Sequence, residues 1–234
     1  MESVAYQVED QQRMTRARNY FAWQASLVLP ELGQRVIELG CGLGNFTGML
    51  LDREIVLALD VEPECVARLR TRYPDHPNLH TFDGDLSSVQ DEIARFRPDS
   101  CVCLNVLEHI AYDRGTLESV HATLAPGGVM VLLVPAFPAL YGPIDDNLGH
   151  ARRYTRRSMS ALATSTGFEI AKLHYVNIVG FFGWWLNSHV FRKHAQSPVQ
   201  IEVFDRAIVP VMSRLERIAP PPFGQSIFAV LRKK

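Results

Sequence analysis

The sequence predicts an α/β fold in which a central parallel sheet carries helices on both faces. Short apolar segments alternate with helix-like segments between residues 35 and 134, and such alternation gives parallel strands joined by helical crossovers. The apolar segments are nearly continuous, as in strands that are buried on both faces. A turn with three glycines, Gly40, Gly42 and Gly44, follows the first strand and lets the backbone approach a ligand closely.

The first element is predicted to be a helix over residues 11–29. Tyr20 and Trp23 belong to its apolar side, and Pro30 ends it. Because this helix precedes the first strand, it can fold back over the glycine turn. We interpret it either as a lid or as simple core packing.

The middle of the chain is predicted to alternate between strands and helices. The predicted strands are Arg35–Leu39, Ile55–Leu59, Leu79–Phe82, Cys101–Asn105 and Val129–Val134. The predicted helices are Asn45–Asp52, Pro63–Tyr73, Val89–Phe96 and Arg114–Leu124. The helix over Asn45–Asp52 would start at the glycine turn and direct its free N–H groups toward the same ligand.

The pattern changes after residue 135. A loop over residues 136–157 is followed by a predicted helix, Ser158–Ser165, and a predicted strand, Phe168–Val176. An aromatic segment and an amphipathic helix over Ile201–Ile218, which Pro210 must kink, then precede a last strand, Gln225–Leu231. An insertion of about forty residues therefore separates the last two strands.

Composition limits the classes of function. The chain has 234 residues, of which 47% are hydrophobic, so it supports a single domain with a sizeable core. A formal net charge of -1 gives no indication of nucleic-acid binding. The four cysteines indicate neither a disulfide framework nor a metal site and favour a reducing, cytoplasmic setting. No apolar stretch resembles a signal peptide or is long enough to span a bilayer.

Three carboxylates occur at successive strand ends. Glu38 stands just before Gly40, Asp60 ends the second strand, and Asp85 follows the third. The carboxyl ends of parallel strands meet at one edge of a sheet, where these groups can accept from an amino group, ribose hydroxyls and an adenine amine. The alternatives are that Asp60 caps the helix that follows it and that Asp85 is a turn residue.

Together these motifs resemble those of the class I S-adenosylmethionine-dependent methyltransferases. The matching segments are Glu38-Leu39-Gly40-Cys41-Gly42-Leu43-Gly44, Asp60, Gly84-Asp85-Leu86, Asn105-Val106-Leu107-Glu108-His109 and Leu124-Ala125-Pro126-Gly127-Gly128. The resemblance covers residues 30–135 closely. It implies a Rossmann-like, seven-stranded sheet whose last strand is antiparallel, and S-adenosylmethionine as the cofactor. Gln225–Leu231 would be that antiparallel strand, lying between strands five and six.

The resemblance also implies roles for individual residues. Glu38 and Gly40 would meet the methionine part, Asp60 the ribose, and Asn105 would offer its backbone near the sulfonium. The remaining residues predicted to bind the cofactor are Cys41, Gly42, Gly44, Asn45, Val61, Asp85 and Leu86.

The segment Tyr141–Tyr154 lies on the ligand side of the predicted sheet and concentrates residue types that bind polar groups or move protons. The residues predicted to contact the acceptor are Tyr20, Tyr141, Arg152, Arg153 and Tyr154. A Gly-His-x-Arg-Arg-Tyr stretch of this kind resembles one in a bacterial subset of the superfamily that is often associated with glycosyltransferases. The alternative interpretation is a solvated start of a helix.

His150 or His109 is predicted to take a proton from the acceptor, and Asp145 to orient the histidine. A structural role for His109 is the alternative, and Glu108 can simply favour the start of a helix.

We therefore expect methyl transfer by in-line displacement to an oxygen or nitrogen atom of a small molecule or glycoconjugate, with no metal and no nucleic acid involved. A nicotinamide-dependent oxidoreductase is an alternative, which Glu38 and the turn at Ala125–Gly128 disfavour. A non-catalytic cofactor-binding partner protein is another. The aromatic insertion is interpreted as core packing, as a homodimer contact, as a wall of the acceptor pocket, or as a surface for a lipid-linked acceptor.

These expectations divide the single domain into four functional parts. Residues 1–30 form the N-terminal helix or lid, and residues 34–135 form the cofactor-binding core. Residues 136–157 form the acceptor-side loop, and residues 178–222 form the helical aromatic insertion.

Overall fold

A single mixed sheet of seven strands organises the protein. The structure is a computed structural model that describes residues 11–195 and 197–234. The strands are β1 Arg35–Leu39, β2 Ile55–Asp60, β3 Leu79–Asp83, β4 Ser100–Leu104, β5 Val129–Pro135, β6 Phe168–Val176 and β7 Ser226–Lys233. Their order in the sheet is β3-β2-β1-β4-β5-β7-β6.

Helices cover both faces of this sheet. The α-helices of eight or more residues are α1 Arg18–Val28, α2 Pro63–Arg72, α3 Leu86–Ala94, α4 Asp113–Thr123, α6 Arg156–Ser165, α7 Ile178–Trp185 and α9 Val209–Ile218. Two shorter helices are α5 Pro143–Leu148 and α8 Pro198–Val203. Side chains from the two faces of the sheet form two separate apolar clusters, one around Leu57 and Leu132 and the other around Val36 and Val131.

The predicted fold class is confirmed. Strands β1 to β5 pair in parallel, whereas β7 pairs antiparallel with both β5 and β6. Ala229 of β7 aligns with Leu132 on one side and with Leu173 on the other. The last strand in the chain thus lies between two earlier strands. The other six strands all run in the same direction, so their carboxyl ends lie at one edge of the sheet.

The predicted helix over Asn45–Asp52 is wrong. That segment consists of turns around one short 3₁₀ helix, Thr47–Met49. Gly44 has a φ of +73°, which lies outside the helical region, and the Thr47 hydroxyl bonds Glu38. Asn, Gly and Thr are also poor helix formers. The glycine turn therefore leads into a compact loop, and no helix begins there to direct its N–H groups at a ligand.

Two further boundaries differ from the prediction. Residues 136–157 are not a loop throughout, because Pro138–Leu140 forms a 3₁₀ turn and α5 follows at Pro143–Leu148. Proline suits the first turn of a helix, and Asp145 and Asp146 favour its positive end. Helix α3 starts earlier than predicted because Asp85 caps it by accepting from the Ser88 N–H.

The insertion between β6 and β7 is helical, as predicted. Helix α7 continues into a π-helical segment, Leu186–Val190, and α8 continues through Phe204–Ile208 into α9. Pro210 lies in the first turn of α9, after the π-helical segment, so it does not break a regular helix. None of the described helices is long and apolar enough to cross a bilayer.

The N-terminal region lies against the glycine turn. Residues 11–14 are helical and α1 follows at Arg18. The Gln11 side-chain oxygen accepts from the Leu43 N–H at 3.0 Å, and its backbone carbonyl accepts from the Asn45 amide at 3.1 Å. The chain before β1 therefore does fold back over this turn.

Candidate functional site

A cavity of about 820 Å³ lies at the carboxyl ends of the strands. It is lined by strand-end residues of β1, β2 and β4, by the N-terminal region, and by the segment before α6. Most residues predicted to bind the cofactor line it: Glu38, Gly40, Cys41, Gly42, Asn45, Asp60, Val61, Asp85, Leu86 and Asn105. Gly44 does not, because it packs against the buried Leu69.

The glycine turn is held open to the cavity by its backbone conformation. Gly40 has a φ of +70° and Gly42 one of +51°, values that L-residues rarely adopt. A Cβ on Gly40 would lie 2.4 Å from the Val106 side chain. Glycine at position 40 is therefore required both by the backbone conformation and by the packing against Val106.

Asp60 joins the glycine turn to the end of β2. Its Oδ2 accepts from the Gly42 N–H at 2.8 Å, and its Oδ1 accepts from the Glu62 N–H at 2.9 Å. Burial raises the pKa of Asp60, and these two N–H donors oppose the shift. Glu62, and not Asp60, is the N-cap residue of α2. The carboxylate thus holds the turn in place while it lines the cavity.

Glu38 is a buried carboxyl group at the cavity floor. The Thr47 hydroxyl donates to its Oε2 at 2.6 Å. Burial raises the pKa of Glu38 to about 8, while the bond from Thr47 lowers it and the nearby Asp60 adds to the increase. A cation bound beside Glu38 would favour its ionised form.

The other predicted cofactor residues lie along the same edge. Asp85 is exposed and accepts from the Ser87 hydroxyl and the Ser88 N–H, which lower its pKa. Asn105 has a φ of +53° and ends β4, with its N–H bonded to the Leu133 carbonyl at 2.8 Å. Val61 is 72% exposed beside the cavity.

Three ionisable residues, His150, Glu108 and Asp145, form a connected group at the cavity wall. His150 Nδ1 lies 2.8 Å from Asp145 Oδ1, and His150 Nε2 lies 3.9 Å from Glu108 Oε1. His150 and Glu108 line the cavity, whereas Asp145 is fully buried behind them. Both Glu108 oxygens are buried and accept no hydrogen bond from a described residue. Burial raises the pKa of Glu108 to about 7, although the nearby His150 opposes the shift.

Asp145 connects this wall to the helical insertion. Its carboxylate accepts from Arg153 Nε at 2.8 Å and from the Trp184 indole N–H at 3.2 Å. The Arg153 guanidinium lies over the Trp184 ring, 4.6 Å from its centroid. Burial opposes ionisation of Asp145, but the bond from His150 and the charge of Arg153 outweigh it and lower the pKa. Asp145 therefore stays a carboxylate that orients the His150 ring.

His109 packs edge-on against His150, with ring centroids 4.7 Å apart. Burial lowers the pKa of His109 to about 4, and the nearby His150 adds to the decrease. Ligand atoms of Glu108, His109 and His150 all lie within 4.8 Å of one another. Two atoms bound to one zinc ion at about 2.1 Å lie at most about 4.2 Å apart. The absence of a metal stays a prediction.

The predicted acceptor residues divide into two groups. Tyr20 and Arg153 line the cavity. Tyr141, Arg152 and Tyr154 do not. The Tyr141 hydroxyl lies 2.8 Å from the His150 carbonyl, whereas Arg152 and Tyr154 both bond Asp113 at the start of α4. These three side chains thus make contacts within the protein. Their positions do not support the expectation that they contact an acceptor.

Two site residues are missing from the sequence prediction. Glu108 was interpreted only as favouring a helix start, and Trp184 as part of an apolar segment. The sequence does contain a signal for Glu108. It lies four residues after a buried strand, so it is placed at the edge of the sheet where ligands bind. Its lack of a partner depends on tertiary packing, as does the contact of Trp184 with Asp145.

Comparison with known proteins identifies the family. Residues 6–173 match the sequence profile of a family described as a methyltransferase domain. The chain therefore belongs to this family, within the class I S-adenosylmethionine-dependent methyltransferases. This membership does not support the nicotinamide-dependent alternative.

Curated relatives match part of the chain. A trans-aconitate 2-methyltransferase of Methylobacterium nodulans is 32% identical over 104 residues, which cover 43% of this chain and 38% of that protein. A carboxy-S-adenosyl-L-methionine synthase of Chromohalobacter salexigens is 33% identical over 112 residues, which cover 43% and 39%. The chain thus spans about two fifths of the length of these relatives.

Solved structures share the fold over nearly all of the chain. The complex of the Haloferax volcanii Trm112 methyltransferase activator with a methyltransferase matches with a TM-score of 0.64 at 19% identity, covering 99% of this chain and 95% of the other. The N-methyltransferase NodS of Bradyrhizobium japonicum, in complex with S-adenosyl-L-homocysteine, matches with a TM-score of 0.56 at 15% identity, covering 93% and 86%. These likenesses show the fold alone.

The cavity edge fits S-adenosylmethionine, the cofactor of this class. The carboxylates of Glu38, Asp60 and Asp85 face one side of the cavity, and the cofactor offers a sulfonium cation, an ammonium group, ribose hydroxyls and an adenine amine. The volume also lies within the range of about 300–1,000 Å³ that ligand sites occupy. The assignment of single residues to parts of the cofactor is a proposal.

Proposed function

We propose that the protein transfers a methyl group from S-adenosylmethionine to an oxygen or nitrogen atom of a small polar acceptor, either free or as part of a glycoconjugate. One observation carries this proposal. His150 is bonded to the buried Asp145 through Nδ1, and its other ring nitrogen lies beside Glu108 at the cavity wall. This pairing resembles the arrangement in which a carboxylate orients a histidine that acts as a general base.

The cofactor supplies a methyl group on a sulfonium, which is already activated for displacement. The side chains therefore position the acceptor and remove its proton. In the tautomer that donates from Nδ1 to Asp145, His150 presents Nε2 as an acceptor on the side of the cavity. Attack forms the bond between the acceptor atom and the methyl carbon while the carbon–sulfur bond breaks. The acceptor proton passes to His150 Nε2, and an ionised Glu108 stabilises the resulting imidazolium.

A small acceptor is supported by the surroundings of this pair. Leu148, Arg153 and Trp184 close the cavity on the side of His150. Some similar proteins are also named for small molecules, such as trans-aconitate and sarcosine dimethylglycine. One relative of Citrifermentans bemidjiense, 27% identical, is named a tRNA U34 carboxymethyltransferase. A nucleic-acid acceptor is thus a second outcome that an experiment must be able to detect.

The cytoplasm is the setting that we propose. All four cysteines are free and buried, as in a chain that needs no disulfide for stability.

The role of His150 is tested by the change His150→Ala. Methyl transfer from labelled cofactor to an extract of source-cell metabolites should fall by about 100-fold or more, because general-base catalysis contributes about 10²–10⁴-fold. Cofactor affinity, measured by calorimetry, should change little, since His150 faces the acceptor.

His189→Ala is the matched control, because His189 is exposed on the insertion and does not line the cavity. It should keep full activity. Full activity in His150→Ala would show that His150 is not the general base. Cofactor binding by the unaltered protein with no transfer to any component of the extract would favour a non-catalytic partner protein.

A further inference from the structure

Exposed apolar side chains are concentrated on the helical insertion. Thirteen large apolar side chains are exposed among the described residues, and two of them, Val61 and Tyr112, line the cavity. The other eleven all lie between Val179 and Ile218. Single exposed apolar residues are normal, but a group of this size marks a surface that contacts something else.

The first helix of the insertion, residues 178–190, is apolar on its outer side. Gly180, Trp184 and Ser188 are buried against the body of the protein. The residue two positions after each of them lies on the opposite side of the helix, about 200° further around in the α-helical part and slightly less in the π-helical part. These three outward residues, Phe182, Leu186 and Val190, are all exposed.

The second helix, residues 198–218, repeats this arrangement. Its buried residues include Ile201, Asp205 and Val209. Two positions after each lie Val203, Ala207 and Val211, which are exposed. The stripe then continues to Leu215 and to Ile218, which is 84% exposed. An ordinary surface helix carries polar residues on this side.

The two helices run in opposite directions and are linked by hydrogen bonds near their ends. Glu216, near the end of the second helix, accepts from the N–H groups of Asn177 and Ile178 at the start of the first. Gln200, near the start of the second helix, donates to Asn187 in the first. We name the outward residues of the two helices together the insertion face.

The charges around the insertion face are mostly positive. Residues 178–222 contain five basic side chains, Arg192, Lys193, Arg206, Arg214 and Arg217. Of the three acidic residues, Asp205 and Glu216 accept bonds from backbone N–H groups. Only Glu202 is an exposed carboxylate, and it pairs with Arg206. Arg192, Arg214 and Arg217 form no ion pair with any residue that the structure describes.

We propose that the insertion face binds the surface of an anionic phospholipid bilayer. Helices that lie in the bilayer interface combine Trp, Phe and Leu on one side with Lys and Arg at the edges, as here. A second copy of the chain, the partner expected from the sequence, fits less well. A two-fold interface brings the same surface of each copy together, so two surfaces with an excess of positive charge would face each other.

The insertion face shares an element with the candidate site. Trp184, on the inner side of the first helix, donates to Asp145 and lines the cavity, while Phe182 and Leu186 point away from it. A bilayer in contact with this helix would thus lie one helix diameter from the wall that carries His150.

Sedimentation with vesicles tests the proposal on the full chain. Vesicles of phosphatidylcholine with about a third phosphatidylglycerol should bind at least about tenfold more protein than pure phosphatidylcholine vesicles, and added salt should weaken the binding. The double change Phe182→Ser and Leu215→Ser should abolish sedimentation. So should Arg214→Glu with Arg217→Glu, which alters only exposed side chains and leaves the apolar residues intact.

Arg95→Glu with Arg157→Glu is the matched control, because it makes the same change of charge at exposed positions outside the insertion. This variant should bind vesicles like the unaltered protein. Equal binding to both kinds of vesicle, or equal losses in the control and in the arginine variant of the insertion, would overturn the proposal. A dimer that Phe182→Ser with Leu215→Ser dissociates, without vesicle binding, would assign the face to a second copy. None of these measurements uses activity, so they stand apart from the proposed function.

Discussion

Two buried carboxyl groups define the site at the scale of single residues. Burial raises the pKa of Glu38 to about 8 and that of Glu108 to about 7, so both change ionisation near neutral pH. The first lies beside the glycine turn and the second beside His150. Strongly shifted pKa values in a cleft are characteristic of functional sites, because a ligand or a reaction makes use of the buried charge.

Glu38 should make cofactor binding depend on pH. The sulfonium cation favours the ionised carboxylate, and below a pKa of about 8 the protein must lose a proton to provide it. Affinity should therefore rise from pH 6 to pH 8, by at least about fivefold, because one shifted proton can contribute up to tenfold per pH unit. Titration calorimetry at several pH values measures this.

The variant Glu38→Gln should bind the cofactor more weakly and lose most of this pH dependence. Glu92→Gln, which removes an exposed carboxylate from α3, should keep it. An unchanged pH dependence in Glu38→Gln would show that a different group provides the charge.

The sequence reveals site residues when their position in the chain determines their position in space. Glu38 and Asp60 follow from strand ends, because parallel strands align their carboxyl ends whatever else the chain does. The contact of His150 with Asp145 also follows, since five residues and one short helix join them. The lack of a hydrogen-bond donor to Glu108 could not be predicted, because it depends on how the surrounding side chains pack.

At the scale of elements, the glycine turn is packed as tightly as a core. Gly44 has a φ of +73°, and a Cβ there would lie 2.5 Å from Leu69, which is fully buried. Gly127 has a similar φ of +76°, but a Cβ there would meet nothing within 4 Å. Substituting each of these two glycines therefore distinguishes the free-energy cost of the backbone conformation from the cost of a steric clash.

Gly127→Ala should lower the free energy of unfolding by about 1–2 kcal/mol, the cost of a left-handed conformation for an L-residue. Gly44→Ala should lower it by a further amount of about 1–3 kcal/mol, because the added carbon overpacks the site. Urea denaturation of both variants gives the comparison. Equal losses would mean that the side chain of Leu69 moves aside freely.

Predictions of helices and strands were correct where one local sequence pattern was strong. They were wrong where tertiary contacts determined the local structure. The apolar strand Arg35–Leu39 was predicted to the residue. The helix over Asn45–Asp52 was not formed, because Thr47 and the glycines serve the turn instead. Helix α5 was hidden in an apparent loop, since six residues with one proline give too short a pattern to recognise.

At the scale of the whole molecule, the fold brings together groups that are distant in sequence. Strand β7 inserts between β5 and β6, which returns the chain to the sheet after the helical insertion. The insertion then contributes Trp184 to a wall built from Asp145 and Arg153. The cofactor edge was largely predictable because ordered motifs carry it. The acceptor wall was not, because its members meet only after the insertion has packed.

The product of the reaction tests the central claim most directly. The protein should be incubated with S-adenosylmethionine carrying a trideuterated methyl group and with a metabolite extract of the source cells, and the products analysed by mass spectrometry. We expect a deuterated methyl group on an oxygen or nitrogen atom of a small molecule or glycoconjugate, and its loss in His150→Ala. Label found only in nucleic acid, or in no acceptor while the cofactor still binds, would contradict the account.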